Sequence, residues 1–121
     1  MNIESVKSLF TLFSGEDDCD KYAPFIDLAV SETERMLLPD ADTSDIRLDF
    51  LSAAIANHRL QQINSARDRT RVTYSGKMLK ESDNSFLACS ERLLHDYIGL
   101  CSDLIRPQSF TFIGFSAKGE V

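Results

Sequence analysis

Leu48-Asp-Phe-Leu-Ser-Ala-Ala-Ile-Ala-Asn-His-Arg-Leu60 is the stretch that decides how this chain folds. Leu48, Leu51, Ala54 and Ile55 recur at three- and four-residue spacings, and Ile63 continues them, which marks one face of a helix. Phe50, Ala53, Ala56 and Leu60 add apolar character on other faces. A helix apolar on most sides is central in its bundle or is covered by another subunit. Ala53, Ala54 and Ala56 are small enough to let neighbouring helices approach closely. The pattern predicts a helix from about Ser44 to Ala66. Thr43 or Ser44 is the candidate N-cap, and Asp45 suits the positive N-terminal end.

Upstream, Ile3, Val6, Leu9, Phe10 and Phe13 predict a short helix that Ser14-Gly15 closes. The acidic run Glu16-Asp17-Asp18 follows, with Asp20 as a candidate cap. Tyr22, Phe25, Ile26, Ala29, Val30, Thr33, Met36 and Leu37 then form the stripe of a second helix, from about Lys21 to Leu38. Pro24 falls in its first turn, where a missing N–H is tolerated, and Pro39 ends it.

Downstream, the helical period fades between Arg67 and Glu81. Arg69-Thr-Arg-Val-Thr-Tyr74 is rich in β-branched residues, Ser75-Gly76 signals a turn, and Lys77-Met-Leu-Lys80 reads as a return strand. Phe86, Leu87, Ser90, Leu93, Leu94, Tyr97, Ile98, Cys101, Leu104 and Ile105 predict a last long helix, from about Asp83 to Ile105. Ser82 or Asp83 would cap it, and Arg106-Pro107 would stop it. Phe110-Thr-Phe-Ile-Gly-Phe115 alternates partly, like a short strand.

The expected fold is therefore mainly α. One helical domain spans residues 1–121, a bundle of about four helices with a small β-hairpin or extended loop before the last long helix. The extended basic connector covers 67–81 and a C-terminal tail covers 107–121. Phe25, Ile26, Leu51, Ile55, Leu94 and Ile98 are the expected core.

Charge is segregated along the chain. From Arg59 to Lys80, six basic residues stand against Asp68 alone, a net +5 in a protein of net −6, so the remainder carries −11. A surface of this kind is suited to a polyanion or to an acidic neighbouring subunit. On an extended strand, the alternating Arg67, Arg69 and Arg71 would project from one face. Such a row, with Lys77, could touch phosphates without reading sequence or pair with carboxylates of the next subunit. The competing reading is a solvated loop with scattered arginines. A pI near 4.8 argues against a general nucleic-acid binder but leaves room for transient, non-specific DNA contact.

No reaction is specified. His58 and His95, the two imidazoles, could meet across a helix pair, but no carboxylate or cysteine accompanies either at a metal-binding spacing. Cys89 and Cys101 lie in or near an apolar stripe, which favours packing over nucleophilic chemistry, and Cys19 sits between Asp18 and Asp20, which disfavours a thiolate. Glu16 to Asp20 lacks the spacing of a calcium loop, and the glycines are isolated, so no phosphate loop is present. No enzyme activity, cofactor or metal is expected. The three cysteines, without a secretion signal, fit a reducing cytosol, and no apolar run is long enough for a membrane helix. The chain is expected to be soluble and intracellular.

The order of elements resembles a known family. A short helix with Val6-Lys-Ser-Leu-Phe10 is followed by an acidic loop and a helix with Phe25-Ile-Asp-Leu-Ala-Val30. The small-residue helix with Ala53-Ala-Ile-Ala56 comes next, then a polar connector with Val72-Thr-Tyr74, then a final long helix. Over roughly Val6 to Leu104 this is similar to the phage head–tail connector proteins, the small adaptors of tailed phages and bacterial prophages. The resemblance lies in helix lengths and composition rather than in a diagnostic motif. Residues Ser85 to Leu94 make the last helix longer than in the shortest members, and nothing after Pro107 matches. The resemblance implies a structural subunit that forms a ring between portal and tail, with DNA passing through it. It would assemble in the bacterial cytoplasm and end in the virion if the prophage is active. Self, portal and tail proteins would be its partners. Arg67, Arg69, Arg71 and Lys77 would then be interface or DNA-proximal residues. The alternative is a small bacterial helical partner-binding or regulatory domain using the same basic segment.

Overall fold

The computed structural model describes the backbone of residues 1–75 and 81–107, and the side chains of 1–67 and 86–107. Among the described residues it contains four α-helices: α1 (Ile3–Ser14), α2 (Ala23–Met36), α3 (Ile46–Ser75) and α4 (Glu81–Leu100). The mainly α bundle expected from the periodicity is what the chain forms.

Local chemistry sets most of the helix ends. The Asn2 side chain accepts the backbone N–H groups of Glu4 and Ser5 at 3.0 and 3.3 Å, capping α1. At the other end Gly15 takes φ +78°, the left-handed conformation, and its N–H reaches the Thr11 carbonyl at 2.9 Å. Two cap expectations are corrected. Tyr22, not Asp20, occupies the cap position of α2 and makes no side-chain cap bond, while the Asp20 N–H is taken by the Asp18 carboxylate. At α3 the cap is Asp45, whose carboxylate accepts the Arg47 N–H at 2.9 Å. Ser44 is instead turned to Asp42, donating its hydroxyl at 2.6 Å.

α3 is the axis of the molecule and packs against each of the other three helices. Every residue from Leu51 to His58 is buried, so this segment is enclosed on all sides. Ala53, Ala54 and Ala56 are fully enclosed, and their lack of bulk allows that approach. α1 lies across the first half of α3. Near its start the Asn2 N–H donates to Asp49, and near its end Phe13 meets Phe50 and Tyr97. Ile26, Leu51, Ile55, Leu94 and Ile98 are buried in the core, whereas Phe25 is half-buried at its margin, packed beside Tyr22.

Two departures from the expected elements bear on function. α4 ends at Leu100, and the chain then turns so that Ile105 forms an antiparallel bridge with Leu37. The Leu38 N–H donates to the Leu104 carbonyl at 3.0 Å, and the Arg106 N–H donates to Met36 at 2.8 Å. Pro39 and Pro107 favour extended backbone in the residues just before them, so both segments leave their helices and satisfy each other. The second departure is the connector. The backbone is helical through Ser75, so Arg67–Tyr74 is neither hairpin nor extended loop. Extending an existing helix fixes one residue per hydrogen bond gained, and arginine is a good helix former, so the local β-branched preference is overridden. The return strand at Lys77–Lys80 and the strand-like reading of Phe110–Phe115 lie outside the described residues.

Candidate interaction site

α4 runs antiparallel to α3. Arg47 near the start of α3 bonds the Leu100 carbonyl and Asp103 beyond the end of α4, and His58 meets Ser90 further along. Arg59 is bonded to α2 through Glu32. Past the buried Leu60, Ser65 is buried while Gln62, Ile63, Ala66 and Arg67 are exposed. The later part of α3 and the first part of α4 thus form an arm that projects from a body built by α1, α2 and the other halves of the long helices.

The body end of this helix pair is firmly joined. The Arg47 guanidinium bridges Asp45 and Asp103, both at 2.9 Å. Its hydrogen bonds hold both carboxyls below their ordinary range and push the guanidinium further above its own. Leu51, Ile55, Leu94, Ile98 and Cys101 are buried in this part of the molecule. Burial pushes the Cys101 thiol up to about 11. Its sulfur donates to the Arg47 carbonyl at 3.5 Å, so it is a packing residue and not a nucleophile. Cys89, by contrast, is exposed, which corrects the expectation of burial, and Cys19 is half-buried.

The arm end of the pair is polar. His58 and Ser90 are both buried, with Nδ1 3.1 Å from the hydroxyl. Ser90 donates its own proton to the Leu87 carbonyl at 2.8 Å, so Nδ1 is the donor to Ser90. The pair joins α3 to α4 through a buried side-chain hydrogen bond. His58 Nε2 and Ser65 Oγ, two turns apart on α3, are buried without a hydrogen-bond partner. Burial, and secondarily the Arg59 and His95 charges, lower the pKa of His58, against the opposing effect of Glu91.

The expected contact residues separate. Arg59 is 2.6 Å from Glu32, so one positive charge of the segment is already used within the subunit. Arg67 is exposed and makes no ion pair among the described residues. The side chains of Arg69 and Arg71, and Lys77 as a whole, lie outside the described residues. Because the backbone is helical there, positions 67 and 71 fall one turn apart on one side while position 69 falls opposite. The single-faced row expected of a strand is replaced by basic positions distributed around a helix.

Sequence reasoning missed the Arg47 network and the Glu32–Arg59 pair, because both join residues far apart in the chain. Among the described residues no group of three His, Cys, Asp or Glu side chains could hold a metal, and no helix is long and apolar enough to cross a membrane. No family model, curated protein or solved structure matches this chain.

Proposed function

We propose that this chain is a non-enzymatic structural subunit that assembles through its α3–α4 arm, in the manner of the phage head–tail connectors it resembles. One observation carries the reading: charge is divided along the length of the molecule. Residues 1–58, which supply the body, hold twelve acidic and four basic side chains, a net −8, whereas 59–80 hold +5. A subunit polarised in this way has opposite charge at the places where a head-to-tail neighbour would sit, and heterologous contacts that close give rings. An acidic body also suits a channel through which DNA slides without sticking. Portal and tail proteins are the further partners of such a ring, with assembly in the bacterial cytoplasm and the mature connector in the virion.

Light scattering over a wide range of protein concentration, with and without a portal ring as template, tests this reading. A closed oligomer under either condition is expected, and replacing Arg67, Arg69 and Arg71 by Ser should abolish it while leaving the helical circular dichroism unchanged. Normal assembly by that variant would remove the role of the arm. A monomer or dimer under all conditions would favour a helical partner-binding or regulatory domain instead.

A further inference from the structure

Two exposed apolar side chains mark the seam between α2 and α3. Leu28 on α2 is 52 % exposed and Ile63 on α3 is 39 % exposed. Each lies one helical turn from the Glu32–Arg59 pair, Leu28 four residues before Glu32 and Ile63 four residues after Arg59. The two helices run antiparallel. The end of α2 meets Ile105 through the Leu37 bridge and the start of α3 meets Asp103 through Arg47, so both lie at one end of the bundle. Leu28 and Ile63 are therefore displaced from the bonded pair in the same direction. Each is only about 40° round its helix from the bonded residue, at 3.6 residues per turn. They are neighbouring points of one apolar spot at the root of the arm.

The end of the described chain is aimed at this spot. Ile105 pairs with Leu37 in the antiparallel sense, and the Arg106 N–H donates to the Met36 carbonyl at 2.8 Å. Residues 105–107 thus run back along α2, from its last turn towards its first. On that path Arg35 and Ser31 are exposed and polar, and Leu28 is the next exposed residue on the same side. Leu28 is eight residues before Met36, about 12 Å along the axis at 1.5 Å per residue. The sequence beyond Pro107 follows the same order: Gln108 and Ser109 are polar, then Phe110-Thr-Phe112 begins an apolar run. At about 3.3 Å per extended residue, Phe110 and Phe112 reach roughly 10 and 17 Å past Pro107, on either side of the level of Leu28. Residues two apart share a face of an extended segment, so both rings would meet one surface while Thr111 turns away.

We infer that Phe110 and Phe112 of this chain's own C-terminal segment dock on Leu28 and Ile63, across the α2–α3 seam. The docked rings cover an apolar spot that the four helices leave open, and they brace the root of the arm against α2. The inference stands apart from the assembly reading, since it requires neither a ring nor a partner.

Methyl-to-aromatic nuclear Overhauser contacts test it on the full chain. Contacts from the Leu28 and Ile63 methyls to the Phe110 and Phe112 rings are expected. The same contacts should be missing when methyl-labelled chains with deuterated Phe are mixed with chains carrying ordinary Phe, because ring protons then come only from another molecule. Leu28→Asp, at an exposed position, should remove the Ile63 contacts as well and speed chymotryptic cleavage after Phe110 and Phe112 about tenfold, with the helical circular dichroism unchanged. Contacts seen only in the mixture would overturn docking within the chain and give the site to a second copy. A full chain without these contacts, or cleavage that Leu28→Asp leaves unchanged, would overturn the docking itself.

Discussion

The two halves of the α3–α4 pair are built on opposite principles. At the body end, Leu51, Ile55, Leu94 and Ile98 close an apolar interface, and Arg47 ties the helix ends together through two carboxylates. At the arm end the corresponding positions hold His58, Ser65 and Ser90, with two polar atoms buried and unpaired. Burying an apolar side chain stabilises the fold by roughly 1.5–3 kcal/mol, whereas an unsatisfied buried polar group costs about 1–3 kcal/mol. Among the described residues, apolar burial is therefore concentrated in the body.

Five measurements can break or sharpen this contrast. The largest effect is expected in the body: Leu51→Ala should cost about 2–5 kcal/mol in urea unfolding, since the enclosed site cannot collapse around the void. A loss well below that range would mean the body is not the rigid half. Next, Glu32→Ala leaves Arg59 half-buried without its partner at the junction of body and arm, and should cost about 1–2 kcal/mol. If Arg59→Ala costs nothing while Glu32→Ala does, the penalty comes from the stranded charge and not from the lost pair.

The third measurement uses pH. His58 has its pKa lowered by burial, so the unfolded chain binds a proton more readily than the folded one. Stability should be full above the ordinary imidazole range and should fall as pH drops through it towards the lowered folded value. Urea midpoints from pH 8 to 5.5 should show this slope, and His58→Gln should flatten it; an unchanged slope would assign the effect to another group. The smallest effect is expected at the arm surface, where Arg67→Ser should change stability by less than about 0.5 kcal/mol. Native-state hydrogen exchange completes the comparison: amides near Ser65 should exchange faster than those near Ile55.

Much of the body was legible in the sequence because its signals are local or periodic. The Leu48–Ile55 spacing reports a packed helix directly, and Ser14-Gly15 marks a helix end that the left-handed Gly15 forms. The arm was misread for a related reason. Hydrophobic periodicity reveals a helix only through the face it buries, and past Leu60 α3 has little apolar face to show. Val72, Thr73 and Tyr74 then speak for a strand, and the cooperativity of the existing helix, which leaves no mark in composition, decides otherwise. In the body, Leu12 falls outside the stripe of Ile3, Val6, Leu9, Phe10 and Phe13, and it is left exposed.

The bridge between Leu37 and Ile105 bears on the order of events during protein synthesis. The Met36 carbonyl and the Leu38 N–H find their partners only in residues 104–106, almost seventy positions later in the chain. Until that segment has emerged from the ribosome, the end of α2 has no completed ladder, and Met36 has no lid from Leu104 and Ile105. The body is thus finished last at the point where the first half of the chain waits for the second.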